Sequence, residues 1–530
     1  MSELDRKGQT AVLVNWENDG DPGDGVYDDI TADVALSQAL VVEIGRDTVR
    51  LFGRPRANTA EWLLRNTERR YSSEYTGSPL RGELQPGRRV WITKTLGDET
   101  VTMADPVATM ADPGVLMSGV STTRLFSGNT RQPKERYGPG PRNRWVDMSA
   151  TGALAKLQAA DDVTITLRTD ITTGAAALLV LAAAGLTSAE YSVDQEMIDN
   201  GRVLDWWYCD RRRPLEALIE IWASEGPPGA LYEDQYGVIV LEGSTYLADA
   251  TRSNTVQATY YSDPADGDLA ITGVEPAPSF EQIVNSVTFQ LEQRVVQSTT
   301  QVAEFDGSFN LANGEVRTII FRSSDPLAGH TTPALTTDYT VTGTALASVT
   351  SAALGALAVA VTFTAGAGSA TVGPPDGGNG PRLRGQPLTL VGQVDAEQTV
   401  DSSDSQAEFG VRTLPSSMPR PWVGLRPTEA SGVADAWVLA YQQNRPAFVL
   451  TLVNRNGPTM LDLLRRRVSD LIELVDPDES GASRQLTIHS IRHEIQGDHH
   501  HRVILGCEAR FETDWARWDV GQWDVDRWGQ

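Results

Sequence analysis

Short runs of alternating apolar and polar residues, broken by Gly, Pro and Asp, fill both ends of this chain, and helical periodicity is concentrated in one stretch between them. That order constrains the fold strongly, because a period of two buries one face of a sheet and a period of 3.6 buries one face of a helix. In the first 150 residues, Val12–Trp16, Ala35–Ile44, Val90–Leu96 and Trp145–Met148 read as strands of an all-β unit. The run LQPGRRVWI is a Pro-Gly turn launching a strand, and Leu125–Thr130 (LFSGNT) is a strand ending in a tight turn. Within this unit Thr59–Arg70 (TAEWLLRNTERR) reads as one or two turns of helix.

From Ser149 the pattern changes. Ser149–Leu157 reads as a short helix, and Thr172–Gly185 as an Ala/Leu helix stopped by Gly185. Pro214–Ser224 has Pro in its first turn and Leu215, Leu218, Ile219 and Trp222 at helical spacing. Two strands, Ala230–Tyr232 and Gly237–Leu241, follow, completing a small α+β domain. Val256–Tyr261 and Ile283–Val296 are strands again. Between about Gln297 and Arg420 the composition shifts to Thr, Ala, Ser and Gly, with charge nearly vanishing over 340–381, while alternating Val359, Val361 and Phe363 argue for an inserted β-sandwich. Asp435–Gln443 reads as helix, and Phe448–Asn454, Asp470–Asp476, Gln485–Ile495 and His501–Phe511 as strands. The expected division is therefore a β unit at 1–150, an α+β domain at 151–250, a second β unit from 251–300 plus 440–514, an inserted β unit at 301–439, and a Trp-rich tail at 515–530. The expected class is mainly β with α+β elements.

Charge and cysteine content exclude several roles. With 45 Lys and Arg against 70 Asp and Glu, the net charge of −25 argues against a surface that wraps nucleic acid for affinity. It is compatible with a passage along which DNA slides, since phosphates would be repelled. Cys209 and Cys507 are 298 residues apart, so neither a disulfide framework nor a Cys-x-x-Cys knuckle is expected, only two buried thiols. No basic segment followed by an apolar one opens the chain, so no signal peptide is expected. The most apolar run, Gly174–Gly185, has 12 residues against the roughly 20 needed to span a bilayer, and reads as a buried helix.

Chemistry-bearing motifs are few. Five of the six histidines, His489, His493, His499, His500 and His501, fall within 13 residues. Three are consecutive just after Gly497–Asp498, which reads as a hairpin turn, so they are expected at a solvated tip. His489, His493, His499 and His501 stand as weak metal-ligand candidates, because strand neighbours point to opposite faces and only alternate members could share one ion. Asp19, Asp21 and Asp24 lack the order of a calcium loop and read as an acidic turn. No nucleophile elbow, phosphate loop, dinucleotide fingerprint or HExxH occurs, so no catalytic residue and no cofactor is expected. In the tail, Trp515, Trp518, Trp523 and Trp528 lie in WARWDVGQWDVDRWG, and the last three repeat every five residues. Five is neither a helical nor a strand period, so the four tryptophans are expected to anchor a docking segment, unless they fold back on their own domain.

Several segments together resemble the hub proteins of phage tail tips. They are Tyr71–Ile92 (YSSEYTGSPLRGELQPGRRVWI), Leu125–Thr130, Val146–Leu157 (VDMSATGALAKL), Asp199–Gly243 (DNGRVLDWWYCDRRRPLEALIEIWASEGPPGALYEDQYGVIVLEG) and Asp401–Leu414 (DSSDSQAEFGVRTL). The resemblance implies two tail-tube-like β-barrels flanking the α+β domain, and a homotrimer whose paired barrels join a six-fold tube to a three-fold tip. It further implies a virion protein at the distal end of the tail, assembled in the host cytoplasm. Its implied neighbours are a distal tail protein or tail tube above, a tape measure protein, fibres or receptor-binding proteins below, and genomic DNA that passes without specific binding. Unlike some relatives, no C-terminal hydrolase follows residue 514, so an enzyme is not expected. The competing readings are a cell-envelope glycan-binding tail protein and, less favoured, a tail-associated hydrolase with an Asp/Glu pair.

Overall fold

The structure is a computed structural model that describes residues 8–17, 27–35, 37–46, 54–96, 121–137, 144–264, 269–276, 283–398, 403–416, 418–443, 447–454, 457–475, 483–497 and 500–510. Strands hold 49% of the described residues and helices 18%, so the described part of the chain is mainly β.

The first β module comprises β1 (Gln9–Asn15), β2 (Asp28–Asp29), β3 (Leu40–Gly45), β4 (Thr59–Arg65), β5 (Arg89–Leu96), β6 (Ser121–Thr130), β7 (Lys134–Tyr137) and β8 (Arg144–Thr151). Its spatial order is β3-β4-β8-β6-β5-β1-β2, with β7 paired to β8. Alternation is clearest in β5, where Val90, Ile92, Lys94 and Leu96 are buried and the residues between them are half-exposed. The segment expected to be helical at Thr59–Arg70 is instead strand β4, paired with β3 on one edge and β8 on the other. Ala60, Trp62 and Leu64 fill the buried face, and Leu63 is buried as well between exposed Glu61 and Arg65, so the run of three apolar residues interrupts the period of two.

The α+β domain follows as α1 (Ala153–Ala159), β9 (Val163–Thr172), α2 (Thr173–Ala183), β10 (Tyr191–Val193), α3 (Gln195–Asn200), β11 (Val203–Arg212), α4 (Pro214–Glu225), β12 (Ala230–Glu233) and β13 (Ile239–Glu242), closed by the one-turn helices α5 (Tyr246–Asp249) and α6 (Thr251–Asn254). Strand β13 sits between β10 and β12, and β9 pairs with β11. Helix α2 is capped by the Thr172 hydroxyl, which accepts from the Ala175 N–H at 3.3 Å. Its buried residues include Ala176, Ala177, Val180 and Leu181, and they pack into the same core as Leu218 and Trp222 of α4. No described helix is long and apolar enough to cross a membrane.

Strands β14 (Val256–Tyr261), β15 (Leu269–Ala270) and β16 (Gly273–Pro276) begin the second β module. The chain then leaves it through β17 (Val287–Val296), which pairs along its whole length with β26 (Arg382–Gln398). Between those two strands lie β18 (Thr300–Glu304), β19 (Phe309–Leu311), β20 (Val316–Arg322), β21 (Leu327–Thr331), β22 (Thr340–Gly343), β23 (Leu346–Ala353), β24 (Ala358–Ala365) and β25 (Ala370–Gly373). Of these, β18 and β21 pair with β26, while β19-β25-β22 and β20-β24-β23 make two three-stranded sheets, around an apolar cluster that contains Phe309, Phe321, Val361 and Phe363. Helices α7 (Ser403–Phe409) and α8 (Pro427–Tyr441) lead back. Val433, Ala434, Trp437 and Tyr441 of α8 are buried in the core of the α+β domain, so the boundary expected at 439/440 falls inside this helix. The second module is completed by β27 (Ala447–Val453), α9 (Gly457–Arg465), β28 (Leu471–Val475), β29 (Ser483–Gln496) and β30 (His500–Ala509), in the order β16-β27-β30-β29-β28-β14-β15.

The two modules share one 15-stranded sheet. Residues Ser490–Ile495 of β29 pair antiparallel with Gly45–Leu40 of β3, while the preceding part of β29, Ser483–Thr487, pairs with β28. One apolar core runs beneath both modules and includes Val42, Ile44, Ile491 and Leu505. The resemblance implied two barrels, but no sheet closes into one among the described residues. The physical reason lies at the join: the edge of β3 that closure of the first module would use is given to β29.

Candidate functional site

The join between the modules is fastened by the α+β domain. At the end of β3, Gly45 has φ +101°, and a Cβ there would stand 2.5 Å from the His489 carbonyl oxygen of β29. The Arg46 N–H donates to that carbonyl at 3.1 Å, and the Gly45 N–H donates to Asn58 Oδ1 at 3.1 Å. Asn58 Nδ2 donates in turn to the carbonyl oxygens of Glu233 (3.1 Å) and Asp234 (2.8 Å), at the end of β12. The Glu233 carboxylate accepts from the first helical N–H groups of α1, Ala153 at 2.6 Å and Leu154 at 3.2 Å. Gly152 makes this approach possible, since a Cβ there would lie 1.9 Å from Glu233 Oε1.

A second buried carboxylate, Glu242 at the end of β13, accepts from the Tyr232 hydroxyl at 2.7 Å and from the Ser469 hydroxyl at 2.6 Å. Ser469 belongs to the second β module, so Glu242 ties that module to the α+β domain. The Arg46 guanidinium is wholly buried, with Glu242, Glu508, Tyr232 and Tyr441 as its electrostatic neighbours. Arg252 of α6 adds an outer clamp, donating from Nε and Nη2 to Asp470 at 2.7 Å each. Sequence reasoning missed Arg46, Glu233 and Glu242. A signal was present in ALYE and IVLE, where an apolar strand ends on a glutamate.

The solvated tip holds for only part of the histidine cluster. His489, His493 and His501 are buried, His500 is exposed, and His499 lies outside the described residues. His493 Nδ1 and His501 Nε2 are 3.0 Å apart, and His489 Nε2 lies 3.6 Å from Glu508 Oε2. The hairpin β29–β30 is covered because β29 gives its edge to β3 and the His501 main chain exchanges hydrogen bonds with Asn454, through its N–H (2.9 Å) and its carbonyl (3.0 Å). Among the described residues no three His, Cys, Asp or Glu side chains converge to hold a metal. Cys209 and Cys507 are free and buried, as expected. The acidic turn at Asp19, Asp21 and Asp24, and the tryptophans Trp515, Trp518, Trp523 and Trp528, lie outside the described residues.

Two opposing sets of buried acids and bases surround the join. Burial raises Glu233 and Glu242 from 4.5 to about 7 against the hydrogen bonds that favour their charged forms. Burial lowers His493 from 6.5 to about 4, and lowers His501 well below 6.5. Between pH 4.5 and 7 the folded chain holds the glutamate protons that the unfolded chain releases, so each glutamate subtracts stability as pH rises. Between about 4 and 6.5 the unfolded chain holds histidine protons that the folded chain refuses, so each histidine adds stability as pH rises. Across the shared window the four contributions oppose one another. Replacing Glu242 with Gln is therefore expected to tilt the unfolding free energy upward with pH, by up to about 1.4 kcal/mol per pH unit relative to the parent. His493→Gln is expected to tilt it the other way. Urea melts at several pH values within this window read the slopes directly, and equal slopes for parent and Glu242→Gln would contradict the assignment.

No protein-family model matches the chain, and no curated protein matches it. Among solved structures it is similar to the 43 kDa tail protein of prophage MuSo2 from Shewanella oneidensis, with a TM-score of 0.45 and 11% identity over 94% of this chain and 98% of that one. It is also similar to a tail protein from Neisseria meningitidis MC58, with a TM-score of 0.47 and 10% identity over 94% and 96% of the two chains. A third is prophage tail protein gp18 from Listeria monocytogenes EGD-e, with a TM-score of 0.37 and 8% identity over 94% of each chain.

Proposed function

We propose that this chain is a structural protein of a phage-type tail, acting as a homotrimeric hub at the distal end of the tail within the virion. The observation that carries the reading is the β3–β29 join, in which two β modules of one chain stand side by side in one sheet. Three such chains would supply six β modules to a ring while keeping three-fold symmetry, which suits a passage from a six-fold tube to a three-fold tip. Pairing within the chain also leaves fewer open sheet edges to mispair during assembly. The net charge of −25 supports a channel that phosphates do not adhere to. On this reading the hub contacts the tube or a distal tail protein above, the tape measure protein within, and fibres or receptor-binding proteins below. The tail beyond Arg510, with its four tryptophans, is a docking segment for a neighbour, and no residue is given a catalytic role.

The mass in solution tests the reading. A species of three times 57.5 kDa is expected by native mass spectrometry or light scattering. A chain that stays monomeric or dimeric at assembly concentrations, including in the presence of its adjoining tail proteins, overturns it.

A further inference from the structure

A groove of about 450 Å³ lies between the first β module and the α+β domain, and its charge is opposite to that of the chain as a whole. Arg89 and Arg124 on β5 and β6, and Lys156 on α1, line it together with Trp91, Tyr236 and the carboxylate of Glu190. Three cations against one anion give +2 in a chain of −25. Glu190 is engaged by the Thr187 N–H and hydroxyl, each at 2.9 Å. Among the described residues, no carboxylate lies within ion-pair distance of Arg89, Arg124 or Lys156. The Arg124 guanidinium is held 3.9 Å over the Trp91 ring and 5.8 Å from the Tyr236 ring. Tyr27 stacks on Trp91 at 4.4 Å, so this aromatic wall is braced from behind. A guanidinium over aromatic rings, flanked by two further cations that outnumber the groove's one carboxylate, recognises carboxylates and further aromatic faces together.

We propose that this groove receives the chain's own Trp/Asp run, residues 514–528. This inference rests on the docking role given above to that segment, and it names the receiving site. The run DWARWDVGQWDVDRW carries four aspartates and two arginines, a charge of −2 that matches the groove's +2. Its pairing of Trp with Asp offers a ring and a carboxylate in neighbouring positions, the two groups that the Arg124–Trp91–Tyr236 wall and the flanking Arg89 and Lys156 can take. Twenty residues follow Arg510. Extended, they reach roughly 66 Å, enough to cross a domain or to bridge to a second copy.

Carbodiimide cross-linking of the full-length chain, read by peptide mass spectrometry, tests the pairing. Cross-links from Lys156 to Asp519, Asp524 or Asp526 are expected. They should fall at least tenfold in Arg124→Glu and in Arg89→Glu, two variants whose melting is checked against the parent, and an excess of synthetic peptide 511–530 should displace them. Absence of these cross-links, or their persistence in both variants when the folds are intact, overturns the proposal. So does displacement by a single-stranded oligonucleotide but not by the peptide, which would make the groove a phosphate-binding one. Mixing isotopically light and heavy copies separates the two readings. Links between copies support both the groove and the docking role. Links only within one chain leave the groove pairing standing and defeat docking.

Discussion

Replacing Ile491 with Asp is expected to abolish the joined sheet. Ile491 is 2% exposed in β29 and faces Ile44 of β3 on one side and Leu505 of β30 on the other, so its side chain sits beneath both modules at once. A carboxylate placed there is buried between Ile44 and Leu505, and burying that charge together with losing the methyl groups costs on the order of 4 kcal/mol or more. The control is Ile491→Val, which removes one methylene and should cost only about 1 kcal/mol. Hydrogen exchange makes the outcome local as well as global: amides at 40–45 and 490–495 should lose protection together in the Asp variant. A parental urea midpoint with retained protection would mean that the join contributes nothing to the fold.

The second large effect is expected at Arg46. Its guanidinium is entirely buried between carboxylates of two different units, Glu242 from the α+β domain and Glu508 from the second module. Arg46→Ala leaves those buried carboxylates without their cation, and losses of this kind run to about 3–5 kcal/mol. Burial of the cation is itself costly, so the stability is not simply proportional to the attraction. The informative measurement is therefore the double-mutant cycle. Glu242→Gln in the Arg46→Ala background should recover part of the loss, giving a coupling of about 1 kcal/mol or more. Strict additivity would place Arg46 and Glu242 in separate networks.

Legibility in the sequence followed coverage. Where a strand has one dry face, as in β5, or a helix begins on a proline, as in α4, period and punctuation locate the element nearly to the residue. β4 misleads because Leu63 is buried between Trp62 and Leu64, so the polar alternates Glu61 and Arg65 stand four residues apart, a spacing that a helix face shares. The sharing of one edge between β28 and β3 along β29 could not be read at all, since register is a relation between segments 450 residues apart and no local pattern encodes it. The same relation buries the histidines: His493 looks like part of a solvated tip until Val42 is found opposite it. The buried carboxylates were obscured by abundance. With 70 acidic residues in the chain, Glu233 and Glu242 are distinguished only by the strands they terminate.

The ribbon of β17 and β26 has a consequence for how such a molecule changes over generations. Its last rung sets Val296 opposite Leu388, so everything from residue 297 to 387 departs and returns at a single point. Neighbours across an antiparallel rung have Cα atoms about 5 Å apart, a gap that a two-residue turn closes. That stretch is thus an exchangeable cassette. Trimmed to a turn, it would leave the framework a β17–β26 hairpin and forfeit contacts such as the Arg294–Asp325 ion pair and the approach of Gly355 to Thr164. A change confined to that stretch leaves the pairing of β3 with β29 untouched, because none of the paired residues lies within it.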